Sequence, residues 1–422
     1  MKLLFVGDLA GTGFGSVTRD LGLALLDIGH DVRFTSQNEL GDLPEPFKSR
    51  TFMVNDPDGW WALVQNGGIG GLLDGTLWPD GWIPDAALLL GDYIGTRLLV
   101  ATAAEAFRSI PTFHYMPVEG VSLPPRWKGL WDIVHPVAMT EFGAGEIEKV
   151  TGVRPPFVYH GVDTVQFSPV TKAHPLTIGK RKVTSKAECK ALFMHTDSRP
   201  WKETVARAGN VKWLLRTDRL MPRKQYESML RAVGPVLHEN PDTTMVIHCR
   251  SVDEGGDLYD LFSKHPPHVA QRMVNTGFHD TGGGASRDIL RALYNAADVY
   301  VSTSAEGFGL TIAEALACGT PVVGLDYSAV PEVIGPAGLL CPIGAYIDSE
   351  YGFPWARPHE QKFGGLVTRL LHDATLRASL GAAGPVHVAR SFQWPNAARQ
   401  FESIIAPALA EAPRDEQHLV PA

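Results

Sequence analysis

Short apolar runs alternate with amphipathic stretches along most of the chain, and the alternation starts afresh near its middle. In the first half, KLLFVG (2–7) enters a glycine-rich turn, followed by an amphipathic stretch from Ser16 to Ile28 that Gly29-His30 closes. DVRFTS (31–36), AALLLGD (86–92), IPTFHYM (110–116) and DIVHPVAM (132–139) are further apolar runs, with helical patterns such as 96–108 and 143–150 between them. Short apolar runs bounded by turn residues predict buried strands, and the longer periodic stretches predict helices. Residues 37–84, with Pro, Gly and four tryptophans, break the rhythm and predict an irregular, elaborated loop.

A polar stretch over 168–190 precedes the second series. Its strands are VKWLLRT (211–217), TTMVIHC (243–249), MVNTG (273–277), DVYVSTS (298–304) and PVVGLD (321–326). Its helices are 222–238, 256–264, 286–297, 309–318 and 360–381. Alternation of this kind predicts an α/β protein whose parallel sheets are covered by helices on both faces. At 422 residues, two domains fit the usual scale of ~100–200 residues each. The expected architecture is two doubly wound, Rossmann-like domains, 1–170 and 171–390, facing an interdomain cleft. Open sheets bind ligands beyond the carboxyl ends of their strands, which would put a ligand in that cleft.

Composition narrows the function classes. No apolar run approaches the ~20 residues of a membrane helix, and the N-terminus reads as a first strand rather than a secretory signal. Cys189, Cys249, Cys318 and Cys341 are far apart and form no CxxC pair. Neither a disulfide framework nor a zinc site is expected, and a cytoplasmic setting is the simplest. Net charge is −8, unevenly placed: residues 1–167 hold 11 Lys+Arg against 20 Asp+Glu, net −9. An acidic first half argues against broad capture of a polyanion such as DNA. Asp56-Pro57-Asp58 is formally a D-x-D metal motif, but its Pro-rich setting predicts a turn. The 15 histidines show no metal-ligand spacing. Ser16, His114 and Asp92 do not make a hydrolytic triad, since no G-x-S-x-G follows a strand.

The stretch STSAEGFGLTIAEALACGTPVV (302–323) carries the clearest chemistry. A strand ending near Ser304 leads through Glu306-Gly307-Phe308-Gly309 into a helix from about Leu310 to Cys318, stopped by Gly319 and Pro321. Glycines 307 and 309 let backbone approach a ligand, and the N–H groups of the first helical turn suit a phosphate. Glu314, on the same helix face, can accept hydrogen bonds from two vicinal hydroxyls such as those of a ribose, and Glu306 can meet a polyol on the other side. RTDRLMPRKQYE (216–227) follows the first strand of the second series and offers Arg219 and Lys224, with Arg223 the nearest competitor. A planar guanidinium and a point-charge ammonium can together hold an anion. In the first half, Gly11-Thr12-Gly13-Phe14-Gly15-Ser16 lies between strand and helix; a nicotinamide-type G-x-G-x-x-G fails because position 16 is Ser.

Residues 302–323 closely resemble the E-x7-E motif of the family-4 retaining glycosyltransferases, which have the GT-B fold, and Arg219-x4-Lys224 resembles that family's diphosphate-gripping pair. Further matches at 113–127, 138–153, 160–169 and 325–346 suggest a phage- or prokaryote-type branch. The resemblance implies a metal-independent, cofactor-free enzyme that moves a sugar from a nucleotide diphosphate-sugar to an acceptor hydroxyl. Glu306, Arg219, Lys224 and His114 would be catalytic, with Glu314 on the ribose and Gly307, Phe308, Gly309, Leu310 and Thr311 near sugar and phosphate. Gly13, Phe14 and Gly15 would touch the donor phosphate from the first domain. It also implies that 391–411 crosses back onto the first domain, with 412–422 a loose tail. The acceptor side would draw on Ser16, Asp92 and Trp127. Six tryptophans between 60 and 131 (Trp60, Trp61, Trp78, Trp82, Trp127, Trp131) either pack a core or stack an acceptor, which leaves a glycan, a small molecule or a modified phage DNA base open. A GT-B epimerase or hydrolase, or a non-catalytic sugar-nucleotide-binding protein, are the alternatives.

Overall fold

The computed structural model describes residues 1–36, 43–52, 68–194, 211–277 and 285–411, which gather into two compact units. The first comprises Met1–Pro117, Leu123–Gly161 and the stretch from Trp394; the second comprises Val118–Ser122 and Val162–Gln393. Asp56-Pro57-Asp58, Trp60, Trp61 and the tail 412–422 lie outside the described residues.

Each unit is built on a six-stranded parallel sheet. In the first, β1 (Lys2–Gly7), β2 (Asp31–Ser36), β3 (Thr51–Phe52), β4 (Ala86–Leu90), β5 (Thr112–Met116) and β6 (His135–Ala138) lie in the order β3-β2-β1-β4-β5-β6. β1 and β2 run in register from Lys2 opposite Asp31 to Gly7 opposite Ser36. Every residue of β4 and β5 is buried, which is why their sequences read as continuous apolar runs rather than alternating ones. The helix Trp394–Glu411 packs on the helix Gly13–Asp27, and its Phe401 ring meets Tyr115 of β5 edge-on, 4.9 Å between centroids.

The second unit opens where a polar connector was expected. Residues 168–190 hold a hairpin of β7 (Leu176–Ile178) and β8 (Arg181–Val183), and the helix Lys186–Met194 follows. Lys180, Arg181 and Lys182 are its exposed face, so the stretch is polar because it is a surface, not because it lacks structure. β9 (Lys212–Arg216) and β10 (Thr243–Ile247) come next, then a small hairpin of β11 (Val252–Asp253) and β12 (Gly256–Asp257). β13 (Met273–Asn275), β14 (Val299–Val301), β15 (Val322–Leu325) and β16 (Gly338–Cys341) complete the sheet, in the order β13-β10-β9-β14-β15-β16. β17 (Ile343–Ile347) and β18 (Trp355–Pro358) form a separate antiparallel pair. In each sheet the strand order reverses, between β1 and β4 and between β9 and β14. A crevice beyond the carboxyl ends of those strands is the natural ligand position in such a sheet.

Several helices differ from expectation for local reasons. The predicted helix 360–381 is two, Glu360–His372 and Ala374–Ser391, because Asp373 leaves helical geometry and caps the second by accepting from the Leu376 N–H at 2.8 Å. Residues 96–108 likewise divide into Tyr93–Thr102 and Ala104–Ser109 around Ala103. The predicted start at Pro222 is a separate 3-10 turn, Pro222–Lys224, and Gln225 at φ 53° re-aims the chain before the helix Tyr226–Glu239. The first helix begins at Gly13, not Ser16, with Thr12 as its cap, so two of the loop glycines are helical.

Candidate functional site

The site grows from the carboxyl ends of β9 and β14, the two strands at which the second sheet reverses order. Arg216 ends β9 with no solvent exposure, an expensive place for a guanidinium unless it is hydrogen-bonded and paired with a carboxylate. Its Nη1 donates to Thr303 Oγ1 at 2.7 Å, its Nη2 to the Lys224 carbonyl at 2.6 Å, and the cation lies 4.6 Å from the Tyr226 ring centre. Asp218 Oδ2 is 3.3 Å from Nη2. Arg216 thus ties the turn after β9 to the turn after β14, and it fixes where Lys224 points.

Lys224 is 7% exposed and its Nζ reaches Glu306 Oε1 at 2.5 Å and Asp218 Oδ1 at 3.0 Å. Glu306 is 6% exposed, and its Oε1 also accepts from Ser304 Oγ at 2.5 Å. Arg223 donates to the Ala305 carbonyl at 2.9 Å and to Glu306 Oε2 at 3.2 Å, and its other nitrogen pairs with Glu119 at 3.2 Å. Burial pushes the Glu306 carboxyl up, but the Lys224 and Arg223 charges and the hydrogen bonds from Lys224 and Ser304 outweigh it, holding the group well below the usual carboxylate range. Burial likewise works against the Arg223 charge, yet Glu119 and Glu306 keep it protonated. Three cations (Arg216, Arg223, Lys224) and three carboxylates (Asp218, Glu119, Glu306) therefore balance one another in a desolvated cluster. An anion that enters must compete with a carboxylate for Lys224 or Arg223.

The turn after Glu306 leads into the helix Leu310–Ala317. Gly309, at φ 103°, takes a conformation that L residues rarely adopt, and no side chain caps the helix it starts. Ser328 Oγ accepts from the Glu306 N–H at 2.9 Å and fixes the loop from the far side. Gly307 and Phe308 are buried, with Phe308 edge-on to Phe392, while Leu310 and Thr311 are half-buried. Glu314 is half-buried and accepts from Tyr294 Oη at 2.7 Å.

The structure brings Lys224, Glu306 and the Gly307–Thr311 turn together, and puts Arg223 with them. Arg219 is engaged elsewhere: it is half-exposed and donates to Asp253 at 2.8 and 3.1 Å and to Glu254 at 3.0 Å. Arg223, not Arg219, bonds Glu306, because the 3-10 turn swings residues 223 and 224 inward. Arg216, Asp218 and Glu119 were missed from the sequence; an arginine at the end of an apolar strand was the only signal for the first.

The residues singled out in the first unit have partners of their own. Thr12 caps its helix by accepting from the Gly15 N–H at 2.9 Å, and its hydroxyl donates to Asp8 at 2.7 Å. A Cβ on Gly15 would lie 1.9 Å from the Ala10 carbonyl oxygen, so that glycine is required by the turn's own packing. Gly13 is exposed, and Phe14 and Ser16 are half-buried. Asp92 caps the helix Tyr93–Thr102 by accepting from the Gly95 N–H at 2.8 Å. Trp127 is 2% exposed and stacks on Tyr93 at 4.0 Å and 5°. Trp78 and Trp82 are also buried, edge-on to each other with Arg33 over both rings, so these three fill the interior rather than form an aromatic platform. His114 is fully enclosed and within β5, not at its end; burial lowers its pKa to about 4 against the small opposing effect of the Gly91 bond. Nε2 lies 3.1 Å from the Gly91 carbonyl, which can only accept, so the neutral ring carries its proton there and Nδ1 is left as an acceptor with no partner. All four cysteines are buried free thiols. Among the described residues no cluster of three His, Cys, Asp or Glu could hold a metal, and no helix is long and apolar enough to cross a membrane.

The family-model comparison falls on the same unit, and the structural comparisons take in both. Residues 212–349 match the profile of the family described as glycosyl transferases group 1. A GDP-mannose-dependent monoacylated alpha-(1-6)-phosphatidylinositol monomannoside mannosyltransferase of Corynebacterium glutamicum is 27% identical over 197 residues, 44% of this chain and 45% of that protein. A D-inositol 3-phosphate glycosyltransferase of Corynebacterium aurimucosum is 38% identical over 196 residues, 46% of this chain and 42% of that protein. The chain spans less than half the length of the curated relatives it matches. Among solved structures, sucrose-phosphate synthase from Thermosynechococcus elongatus superimposes with a TM-score of 0.70 at 17% identity, over 97% of this chain and 99% of the other. HepE of Anabaena, solved with UDP and glucose, gives 0.68 at 16% identity over 96% and 100%. The fold is that of the GT-B glycosyltransferases, with two Rossmann-like units, and residues 212–349 are similar to glycosyl transferases group 1.

Proposed function

We propose that this chain is a retaining glycosyltransferase that moves a sugar from a nucleotide diphosphate-sugar to an acceptor hydroxyl without a metal ion. The observation that carries the reading is the buried Glu306, held by Lys224 and Arg223 beside an uncapped helix start, inside the segment that matches the family profile. In this reading the donor diphosphate displaces carboxylate from Lys224 and Arg223, and the Gly307–Thr311 turn adds backbone donors. The buried cations then meet the charge that builds on the leaving phosphate as the glycosidic bond breaks. Arg223 takes the place that the sequence resemblance gives to Arg219. Glu306 binds sugar hydroxyls and Glu314 the ribose, while His114, enclosed within β5, is left out of the donor's ligands.

Retention follows if the acceptor hydroxyl attacks from the face that the diphosphate leaves. A leaving phosphate oxygen then takes the acceptor proton, and no protein base is required. The nucleotide-sugar class is supported by the relatives' names, one GDP-mannose-dependent, and by UDP with glucose in HepE. Ser16 and Asp92 are assigned to the acceptor side, and the Gly13–Gly15 turn, whose polar groups are met from within, is left out of the donor's ligands. A polyol, glycan or other small hydroxyl compound is the acceptor favoured. The stacked-nucleobase version loses the support of Trp78, Trp82 and Trp127, which are buried. Free buried thiols fit a reducing, cytoplasmic setting.

Donor consumption, measured for UDP-, GDP-, ADP- and TDP-sugars with and without acceptors, tests the reading. Acceptor-dependent release of nucleotide diphosphate, unaffected by EDTA, with the donor's anomeric configuration kept in the product by NMR, is expected. Equal sugar release to water with or without acceptor would make the protein a hydrolase, a rearranged donor an epimerase, and binding without turnover a non-catalytic sugar-nucleotide receptor.

A further inference from the structure

The carboxylate of Glu314 does not stand alone on its helix. Tyr294, on the helix Arg287–Ala296, is fully buried and its Oη is 2.7 Å from Glu314 Oε2. The same Oη is 2.9 Å from Thr217 Oγ1, which is 3.2 Å from Tyr300 Oη. Hydrogen bookkeeping fixes the direction. A carboxylate can only accept, so the single Tyr294 proton goes to Glu314. Thr217 must then donate to Tyr294, and Tyr300 to Thr217. The result is a one-way chain of buried hydroxyls, Tyr300 to Thr217 to Tyr294 to Glu314. It runs from the centre of the sheet, through the residue after β9, to the helix that follows Glu306. Bonds in such a chain polarise one another in the same sense.

From this geometry we infer that Tyr294 is a positioning residue that orients Glu314 for the two ribose hydroxyls of the nucleotide. The inference rests on the reading of Glu314 as the ribose ligand. Tyr294 binds one oxygen of the carboxylate and thereby sets the side-chain rotamer. A tyrosine whose own oxygen accepts from Thr217 gives its one proton to Glu314 Oε2. Vicinal hydroxyls are a bidentate donor pair, and a carboxylate receives both well only in a fixed plane. A phenylalanine at 294 keeps the ring in its pocket and removes only the hydroxyl that donates to Glu314 Oε2.

The test compares ribose with a sugar that has nothing for Glu314 to bind. UDP, GDP and their 2′,3′-dideoxy counterparts are titrated calorimetrically into the full chain, Tyr294→Phe, Glu314→Gln and the double variant. For whichever diphosphate the parent binds, Tyr294→Phe is expected to weaken the ribonucleotide ~5–10-fold and the dideoxy form less than ~2-fold. Glu314→Gln shows the same selectivity with a larger loss, and the double variant is no weaker than Glu314→Gln alone. A Tyr294→Phe loss equal for both nucleotides, or no loss for either while Glu314→Gln stays selective, overturns the positioning role and leaves the ribose reading intact. A Glu314→Gln variant that does not discriminate ribose from dideoxyribose overturns both.

Discussion

Two glycine-bearing turns leave strands that flank the reversal point of their respective sheets, and they use glycine in opposite ways. After β1, the turn is satisfied from within: Thr12 caps the helix, Asp8 holds Thr12 and the Ala10 N–H, and the Arg19 guanidinium bonds the Leu9 and Ala10 carbonyls. Gly15 is there because Ala10 leaves no room for a Cβ. After β14, Gly309 stands at a positive φ, no side chain caps the helix, and the neighbouring carboxylate is wrapped in cations. A glycine-rich βα turn is therefore not by itself a ligand site. What separates the two is whether the turn's own side chains already spend its polar groups.

The largest effect that would break this comparison is in the second unit. Glu306→Ala leaves Lys224 and Arg223 buried with less counter-charge, and turnover of the donor is expected to fall ~10²–10³-fold. Folding stability should fall by roughly 3–5 kcal/mol as well, read by urea titration. Next is Gly15→Ala, whose Cβ meets rigid backbone; a loss of about 2–3 kcal/mol is expected in the same titration. If Gly15→Ala were neutral, the close packing assigned to the first turn would be wrong.

How far each unit could be read from sequence follows the same division. Glu306, Lys224, Glu314 and the turn between them were legible because a strand, a loop and a helix start are contiguous in the chain. Arg216, Asp218 and Glu119 were not, because their partners are brought together by the strand order: Lys224 and Glu306 alone are 82 residues apart. Arg219 and Arg223 look alike in sequence, and only the 3-10 turn at Pro222 decides which faces Glu306. The two sheets and most strand positions were evident from apolar runs, whereas helix breaks at Ala103 and Asp373 depend on backbone geometry that no periodicity carries. The tryptophans were ambiguous because an indole fills a core or faces a ligand equally well, and burial settles that for Trp78, Trp82 and Trp127.

Acid separates the units further. Burial holds His114 and His160, both in the first unit, at pKa values of about 4 and about 3, below the ordinary 6.5. The unfolded chain takes up these protons as pH falls below 6.5 while the folded chain resists. Their contribution to stability is thus full above pH 6.5 and declines toward pH 4, by up to ~1.4 kcal/mol per pH unit for each histidine. Glu306 is also depressed, so its contribution is lost only as pH falls below the ordinary carboxylate range. Melting curves from pH 7.5 to 4 should show this decline, made shallower by His160→Gln; an unchanged slope in that variant would contradict the assignment. The smallest effect expected is that of Thr12→Ala, which removes a cap worth about 1 kcal/mol and leaves donor affinity unchanged. Lost donor affinity in Thr12→Ala would mean that the first turn, too, serves the ligand.

The central claim is that the buried cations at the carboxyl ends of β9 and β14 grip a nucleotide diphosphate. It is tested most directly by titrating UDP, GDP, ADP and TDP into the parent and into Lys224→Ala by calorimetry. The account predicts saturable binding of at least one of them by the parent, weakened ~10²-fold or more in a folded Lys224→Ala. Equal affinity in the two proteins, or a parent that binds none of the four, would contradict it.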